Sequence, residues 1–499
     1  MESVFDFLKN KFSYGQKQVR AVFLLLGVLL SLICVFIAPA DPIGDEKYPL
    51  ESSFLQREQY KLQFAAFLDG HIALDAIPTE ILAELENPYD PDERENADLH
   101  TYFTEKENSY LWDVAYYDGQ YFSYFGIAPI ITVYYPYYAL TGSIPSHYRA
   151  CLVLAVCACV FLMLAYCEAV FLFTDSIYIL PTALGGVALF FASGIPTALS
   201  CSDNYYLAVI SAICFSMASL FFGLFALRRK KIYSKCIFLT LCAICLTLTV
   251  WSRPSSSIMC LILTVPFLKY LFDAVKELKT RREKKYEQLI PCGAFLIILM
   301  LGASAVMYYN FIRFDSLLEF GAKYQLTLND ISTNTLNVSL LCESVFAYFL
   351  QNPELAGNGA FLPVPSVRFF TSTSRFIYCA ENIGCLWFGL PFGTLFSFGK
   401  KTYHSRKKQF FCAICVTVCA FFVAFFNFCV GGVNLRYTFD VLPISSLVGI
   451  ASLVSALSHC EKRHKPILYA LFALLFALAI LCGLGCAVFF SKAAGQATL

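Results

Sequence analysis

Charged residues are scarce in this chain. Of its 499 residues only 15 % are Asp, Glu, Lys or Arg, whereas 58 % are hydrophobic. This balance excludes both a disordered protein and an ordinary soluble enzyme. The 37 basic and 36 acidic residues give a net charge of +1, so no overall basic excess indicates nucleic acid as a partner. The composition predicts an integral membrane protein.

Several catalytic signatures are also absent. The sequence has no GxxxxGK[ST] phosphate loop, no GxSxG nucleophile elbow and no HExxH zinc motif, which argues against a cytoplasmic ATPase, a serine hydrolase and a zinc protease. Cysteine is missing between residues 41 and 121, and most of the 22 cysteines lie in apolar runs. They are expected to be small buried hydrophobic residues, and we assign no metal ligands.

Long hydrophobic runs fill most of the chain. The first, 21–40, is long enough to cross a bilayer and follows four basic residues in 1–20, so the N-terminus is expected in the cytoplasm. With the further candidates the prediction is eleven to thirteen transmembrane helices. These candidates are 122–140, 150–173, 177–195, 204–227, 236–251, 256–274, 289–309, 384–399, 409–430, 438–458 and 467–490.

Acidic and basic residues are separated along the chain. Of the 37 basic residues, 24 fall in the N-terminal segment and four clusters between spans, which the positive-inside rule places in the cytoplasm. Between residues 41 and 118 there are 19 acidic and five basic residues, which indicates an outward-facing loop. Three candidate spans separate this loop from the outward stretch 196–203, although alternation requires an even number. One of the three candidates does not cross the membrane, or residues 150–203 contain an additional crossing. The segment 122–140 is a candidate for a broken or re-entrant helix, because it contains two prolines.

The predicted architecture is therefore an all-α polytopic protein of the plasma membrane. Its cytoplasmic N-terminus and first span are followed by an acidic extracytoplasmic loop, 41–121, and a transmembrane bundle, 122–309. A second extracytoplasmic loop, 310–383, precedes the C-terminal transmembrane helices, 384–490. Because loops of this length are rarely mere connectors, the two are expected to pack together over the outer helix ends and to carry the function.

The acidic loop begins with an amphipathic pattern. Between Phe54 and Asp69 the apolar residues recur with helical spacing, which predicts an interfacial helix on the outer membrane surface. Glu58 and Asp69 fall on its opposite, polar face about 16 Å apart along the axis. They do not form a paired-carboxylate site, but either one alone is a candidate general base.

The rest of this loop contains turns and a third candidate acid. Asp118-Gly119 is typical of a hairpin bend, and Asp113 precedes it among membrane-edge aromatics. The two prolines around Asp90 predict a turn that presents Asp90 near Arg94. Acidic residues in such a turn can bind a divalent cation, although acidic turns without a bound ion are common. The acidic residues of this turn are Asp90, Asp92, Glu93 and Glu95.

Short motifs at both ends of the chain resemble the GT-C superfamily of polytopic glycosyltransferases. The superfamily includes protein O-mannosyltransferases, aminoarabinose transferases and arabinofuranosyltransferases. In the first loop the similar residues are Tyr60, Ala65, Ala66, Leu68, Gly70, His71, Asp118, Gly119, Tyr121, Tyr124 and Pro129. Later in the chain they are the segments 309–321 and 324–327, with Arg436, Tyr437 and Asp440.

The resemblance implies a polyprenyl-phosphate sugar donor and transfer on the outer face of the membrane. It also implies a catalytic Asp near the start of the interfacial helix. The position that matches best carries Glu58, so Glu58, Asp69 and Asp113 remain alternative bases.

Transfer from a lipid phosphate also needs positive charge for the departing phosphate, and arginine binds phosphate oxygens bidentately. Four basic residues near outer helix ends are the candidates: Arg253, Arg313, Lys323 and Arg436. Asp203 and Asp440 are potential ion-pair partners, which would make the arginines structural. The candidate substrate-binding residues are Asp90, Arg94, Asp118, Tyr121, Tyr124, Glu319 and Tyr437.

The sequence thus favours a glycosyltransferase that acts in the bilayer on a polyprenyl-phosphate-linked sugar and a saccharide, lipid or protein acceptor. A transporter or flippase for a lipid-linked or anionic solute is the alternative. Transporters typically carry ionisable residues at mid-span, and Glu168 is nearly the only acid well inside a span. A polysaccharide polymerase or ligase is a third possibility, which the acidity of the first loop disfavours.

Overall fold

A computed structural model describes residues 16–42, 44–50, 58–101, 108–174, 177–280, 286–356, 361–372, 375–398 and 404–496. Residues 1–15 of the expected cytoplasmic N-terminus and 54–57 of the expected interfacial helix lie outside these ranges. The described residues are mostly helical. The helices are α1 Gln16–Ile37, α2 Gln59–Leu68, α3 Glu80–Glu84, α4 Pro91–Asn96, α5 Tyr135–Thr141, α6 His147–Phe173, α7 Ile179–Ala192, α8 Ile195–Cys201, α9 Asn204–Leu227, α10 Ile232–Val250, α11 Pro254–Met259, α12 Thr264–Thr280, α13 Ile290–Phe314, α14 Leu341–Val345, α15 His404–Gly431, α16 Leu435–Thr438, α17 Leu442–His459 and α18 Lys465–Gln496.

Ten helical segments in the described ranges are long and apolar enough to cross a membrane. The protein is therefore an all-α, multi-pass membrane protein, as predicted. The segments are Gln16–Ile37, His147–Phe173, Ile179–Cys201, Asn204–Leu227, Ile232–Val250, Pro254–Lys276, Tyr286–Phe314, Lys407–Gly431, Leu442–His459 and Lys462–Ser491.

The candidate span 122–140 does not form a membrane-crossing helix. A strand ends at Phe122, and the helical part consists of a single π-helical stretch, Ile130–Tyr134, followed by the short α5. Two spans, Ile179–Cys201 and α6, then lie between the acidic loop and residue 203. This even number removes the conflict in the alternation.

The candidate span 384–399 forms 3₁₀ helices, Cys385–Phe388 and Leu390–Phe398. These helices, of four and nine residues, are separated by Gly389, which has a positive φ of 76°. Asn334 donates to the carbonyl of Val430, at the end of α15, so α13 and α15 both end on the same side. The chain must therefore return across the bundle between them, and the 3₁₀ segment, which is not among the ten long apolar helices, is the part that packs along α17.

The basic end of the bundle is defined by an ion cluster. The buried Glu168 of α6 accepts from Arg20 Nε at 2.5 Å and lies 3.3 Å from Arg228 Nε. Lys465 donates to the Tyr178 hydroxyl at 2.9 Å. These contacts bring the basic flanks of α1, α9 and α18 to one end, as alternation of the spans requires.

The two outer loops pack together over the opposite end and form what we call the cap, the described parts of 41–121 and 310–383. Asp113 N donates to Leu326 O at 2.9 Å, and Leu326 N donates to Val114 O at 3.0 Å. Leu326 completes a small apolar core with ten members, which are Leu62, Leu74, Leu82, Leu99, Tyr110, Leu111, Val114, Tyr116, Tyr121 and Leu326. The expected association of the two loops is confirmed.

Four two-stranded ribbons brace the cap. β4 Ala115–Tyr117 pairs antiparallel with β5 Gln120–Phe122, with Asp118 and Gly119 at positive φ, which confirms the predicted hairpin. The other strands are β1 Glu46–Lys47 paired with β6 Ser143–Ile144, β2 His100–Thr101 with β3 Ser109–Tyr110, and β7 Glu354–Leu355 with β8 Pro363–Val364.

The polar face of α2 is buried as well as its apolar face. Tyr60 and Phe64 stack against Tyr134, as the apolar stripe predicts. On the other face Gln59 donates to Asp113 O at 2.8 Å and Gln63 donates to Ile72 O at 2.9 Å. The cap therefore buries polar as well as apolar positions of this helix.

Candidate functional site

Two cavities meet where the cap rests on the bundle. The bundle cavity, of about 440 Å³, lies between the ends of the membrane helices and has apolar walls such as Val250, Val306 and Phe426. The loop cavity, of about 240 Å³, lies under the cap and includes Asp113. Nine residues line both cavities: Tyr124, Tyr205, Gln325, Ile331, Asn334, Val430, Gly431, Arg436 and Tyr437.

Asp113 is held firmly in place. Its backbone has a positive φ of 55°, and its N–H and carbonyl are fixed by Leu326 and Gln59. The side chain is buried, and its Oδ2 accepts hydrogen bonds from Tyr205 and, at 3.1 Å, from Tyr124. One carboxylate is thus presented to the loop cavity by two tyrosines.

Burial raises the pKa of Asp113, while the hydrogen bond from Tyr205 and the charge of Arg436 act against this rise. A carboxyl group with a raised pKa is a better proton acceptor than an ordinary carboxylate, provided that it is ionised at the working pH. The site therefore has the chemistry of a general base.

Arg436 faces both cavities. The side chain of Asn434 caps α16 by accepting from Arg436 N at 3.0 Å, which fixes the start of this short helix. The guanidinium lies 4.0 Å from the ring centre of Tyr205, and it donates to the Tyr437 hydroxyl at 3.3 Å. Among the described residues no carboxylate lies within 4 Å of it. Arg436 is a cation without a carboxylate partner and is suited to an anionic ligand.

Arg253, by contrast, is bound to Asp440. Its Nε and one terminal nitrogen donate to the two carboxylate oxygens at 2.7 and 2.9 Å. Asp440 also accepts from Ser255, Ser256 and Asn427 at 2.5 to 3.0 Å. This cluster forms part of the wall of the bundle cavity, gives Arg253 a counter-charge and supplies Asp440 with five hydrogen-bond donors.

The other predicted phosphate ligands differ in their availability. Arg313 is buried and donates at 2.8 Å both to Ser123 O and to the side chain of Asn310, so it ties α13 to the cap. Lys323 is exposed on the bundle cavity. Glu319, which lines the same cavity, accepts from Gly321 N at 2.8 Å.

Glu58 and Asp69 line neither cavity. Glu58 is buried at the start of α2, 3.0 Å from Lys61 and 3.7 Å from His147. Burial raises its pKa, and Lys61 opposes this effect. Asp69 is exposed and accepts from the hydroxyl of Tyr48. Of the three candidate bases, Asp113 alone lines one of the two cavities, the loop cavity.

The predicted substrate-binding residues also differ in whether they line a cavity. Tyr124 and Tyr437 line both cavities. Asp90 caps α4 through Asp92 N, and the buried Arg94 donates to the carbonyls of Pro88 and Thr327. Asp118 is exposed at the hairpin bend, and Tyr121 is buried against Tyr116. None of these last four predicted residues lines either cavity.

Two groups of side chains are candidate ligands of a cation, the acidic turn and a cluster near the end of α2. In the turn, Glu93 accepts from Asn87 N at 2.8 Å and Asp90 caps α4, so both carboxylates serve the local fold. Among the described residues, the metal-ligand side chains that come within reach of one ion are Asp69, His71 and Asp75, all exposed. Neither group lines a cavity.

Sequence reasoning did not identify several lining residues. Tyr205, Gln325, Asn334, Arg375 and Tyr378 line the loop cavity. Tyr205 lies at the start of a membrane helix, where aromatic residues are common anyway. Its nearness to Asp203 and Asn204 is a weak signal. Gln325 lies in the segment 324–327 that resembles the GT-C superfamily, whereas Asn334, Arg375 and Tyr378 carry no signal.

No family model and no curated protein matches this chain. Two solved structures resemble it over 95 % of its length. One is the archaeal oligosaccharyltransferase AglB from Archaeoglobus fulgidus in complex with an inhibitory peptide and a dolichol-phosphate, at 14 % identity and a TM-score of 0.41. The other is an A. fulgidus oligosaccharyltransferase in the apo form, at 13 % identity and a TM-score of 0.39. This chain covers 55 % and 57 % of those chains. At these scores, any assignment of function rests on the geometry of the site.

Proposed function

We propose that the protein is a membrane glycosyltransferase that moves a sugar from a polyprenyl-phosphate donor to an acceptor hydroxyl. The observation that carries this proposal is that a carboxylate and a guanidinium line one cavity. A buried carboxylate, Asp113, and the guanidinium of Arg436, which has no carboxylate within 4 Å in the described ranges, face the same cavity between cap and bundle.

In the proposed reaction Asp113 takes the proton of the acceptor hydroxyl. The hydroxyl oxygen attacks the anomeric carbon from the side opposite the phosphate, so the configuration inverts. The bond from the anomeric carbon to the phosphate oxygen breaks, and the electron pair leaves with the polyprenyl phosphate. Arg436 stabilises the charge that develops on this leaving group.

The bundle cavity suits the lipid end of the donor. Its apolar walls lie between membrane helices, and Arg436 lies where this cavity joins the loop cavity. Lys323 and Arg313 add positive charge to the same wall. The loop cavity, with Asp113, is the proposed acceptor side.

The proposed face of the membrane is the extracytoplasmic one. The cap lies at the end of the bundle opposite the cluster of Arg20, Glu168 and Arg228. The positive-inside rule assigns that basic end to the cytoplasm, so transfer would take place outside, at a plasma membrane.

The test is a transfer assay with purified protein in lipid nanodiscs. Radiolabelled polyprenyl-phosphate sugars are supplied as donors and a membrane extract as acceptor, and the release of polyprenyl phosphate is measured. We expect release from the wild type and from Asp118→Asn, whose carboxylate is exposed and remote, but not from Asp113→Asn.

The alternative function, transport of a lipid-linked solute, gives a different result. Saturable uptake of a lipid-linked sugar into proteoliposomes, without release of polyprenyl phosphate from any donor, would contradict the proposal. Glu168, the acid that a transporter would most need, is bound by two arginines at the basic end.

A further inference from the structure

The loop cavity carries more positive charge than the proposed reaction uses. Its charged lining residues, within the described ranges, are Asp113, Arg375 and Arg436. One carboxylate therefore faces two guanidinium groups. In the proposed reaction Asp113 is the base and Arg436 holds the phosphate, which leaves Arg375 without a role.

Arg375 has hydrogen-bonding capacity to spare. One terminal nitrogen donates to Thr335 O at 2.9 Å. The other is buried and has no hydrogen-bond partner in the described part of the chain, nor does a carboxylate there lie within 4 Å. A buried donor left unpaired is costly unless a ligand satisfies it.

The position of Arg375 points to one of the two substrates. Arg375 lines the loop cavity and not the bundle cavity, whereas Arg436 lines both. The donor phosphate is therefore within reach of Arg436 without Arg375. The hydroxyl that Asp113 activates must enter the loop cavity, which Arg375 also lines.

We propose that the acceptor carries an anionic group, a carboxylate or a phosphate, that Arg375 binds. This inference rests on the proposed function, because it assumes that the loop cavity holds the acceptor. The fork of donors in arginine matches both anions bidentately. Arg375 is thus a specificity-determining residue for the acceptor.

The first experiment examines the product. Labelled sugar is transferred to the acceptor in a membrane extract, and the product is passed over an anion-exchange column before and after its charge is neutralised by methyl esterification or phosphatase. We expect retention that is lost on neutralisation. A product that passes the untreated column unretained would overturn the inference while leaving the transferase intact.

The second experiment separates acceptor from donor kinetically. Arg375→Gln is expected to raise the KM for the acceptor about tenfold or more, with the donor KM unchanged, and Arg375→Lys should recover part of the loss. Arg368→Gln is the matched control, since Arg368 lies in the same outer segment, is exposed and donates to Asn352 instead. A rise in the donor KM in Arg375→Gln would place Arg375 on the donor phosphate and overturn the inference.

A binding measurement distinguishes failure of this inference from failure of the proposed function. If the wild type transfers nothing, calorimetry with methyl glucuronide, glucose 6-phosphate and the neutral methyl glucoside still tests Arg375. Tighter binding of either anion, lost in Arg375→Gln, supports the anionic site. Equal binding of all three, or none, overturns it.

Discussion

Two arginines at the capped end of the bundle differ in what surrounds them. Arg253 is bound bidentately by Asp440, and that carboxylate also accepts from two serines and an asparagine. Arg436 has aromatic rings and a tyrosine hydroxyl for neighbours, and a cavity in front of it.

This difference in partners indicates whether an arginine near the membrane stabilises the fold or binds a ligand. Breaking a buried ion pair leaves an uncompensated charge, which is strongly destabilising, so the closed cluster is expected to hold the fold. A cation without a carboxylate partner remains free to bind an anion. We therefore expect variants of the two clusters to fail in different ways.

The largest effect is expected at Asp113, the acid of the open site. Asp113→Asn removes the proposed base and should lower kcat by about 10²- to 10⁴-fold, because the amide cannot take up the hydroxyl proton. The melting temperature should stay close to that of the wild type, since the hydrogen bonds from Tyr124 and Tyr205 can still be accepted. Asp69→Asn, at an exposed carboxylate, is the control. An equal loss of kcat in both variants would contradict the assignment of Asp113 as the base.

The next largest effect is expected in the closed cluster. Asp440→Asn leaves the guanidinium of Arg253 without its counter-charge and should destabilise the protein by about 3–5 kcal/mol. Thermal unfolding in nanodiscs measures this loss, with Asp118→Asn as an exposed control. An unchanged melting temperature would show that the cluster is not structural.

Arg436 should affect the donor more than the fold. Arg436→Gln is expected to raise the donor KM by about tenfold to a hundredfold, because a charged hydrogen-bond donor to the phosphate is lost, and to lower kcat, because the same group stabilises the charge on the leaving phosphate. Arg436→Lys keeps the charge without the fork and should lie between the wild type and Arg436→Gln. Identical kinetics in all three proteins would remove Arg436 from the phosphate site.

A smaller effect is expected on the pH profile. Burial raises the pKa of Asp113, and the hydrogen bond from Tyr205 pulls it down, so Tyr205→Phe should raise it further. Because the base acts when ionised, the acid limb of kcat should move to higher pH. Tyr121→Phe is the control, since its buried ring packs against Tyr116 outside both cavities. An acid limb that moves down, or not at all, would contradict the role of Tyr205.

The smallest effect on catalysis is expected at Glu58. Glu58 lies outside both cavities, and its neighbour Lys61 keeps Glu46 as a partner at 3.4 Å. Glu58→Gln should leave kcat unchanged while costing about 1–3 kcal/mol of stability through a weakened buried hydrogen bond. A kcat as low as that of Asp113→Asn would make Glu58 the base instead.

Most of the membrane-spanning helices could be predicted from the sequence, because a span is a local property of about 20 apolar residues. Two candidate spans, 122–140 and 384–399, are not among the ten long apolar helices. The first is interrupted by a strand and a π-helical stretch, and the second is a 3₁₀ segment packed on α17. There, Gly393 and Gly449 bring two backbones close together, a tertiary contact that hydropathy does not record.

The site residues were less predictable, because their roles depend on partners far away in the chain. Arg253 and Arg436 are alike in sequence, being arginines at outer helix ends. The sequence named Asp440 as a potential partner of these arginines, but only the fold assigns it to Arg253, across 187 positions, and leaves Arg436 with no carboxylate within 4 Å among the described residues. Arg375 was missed because an arginine in an outer loop has no local signature.

The most direct test of the account compares Asp440→Asn and Arg436→Gln in the same nanodisc preparations, with melting temperature and donor KM measured on each. We predict that Asp440→Asn loses stability, whereas Arg436→Gln keeps the wild-type melting temperature and binds donor poorly. The opposite pattern, with Arg436→Gln unfolding and Asp440→Asn stable but unable to bind donor, would contradict the assignment of one cluster to the fold and the other to the substrate.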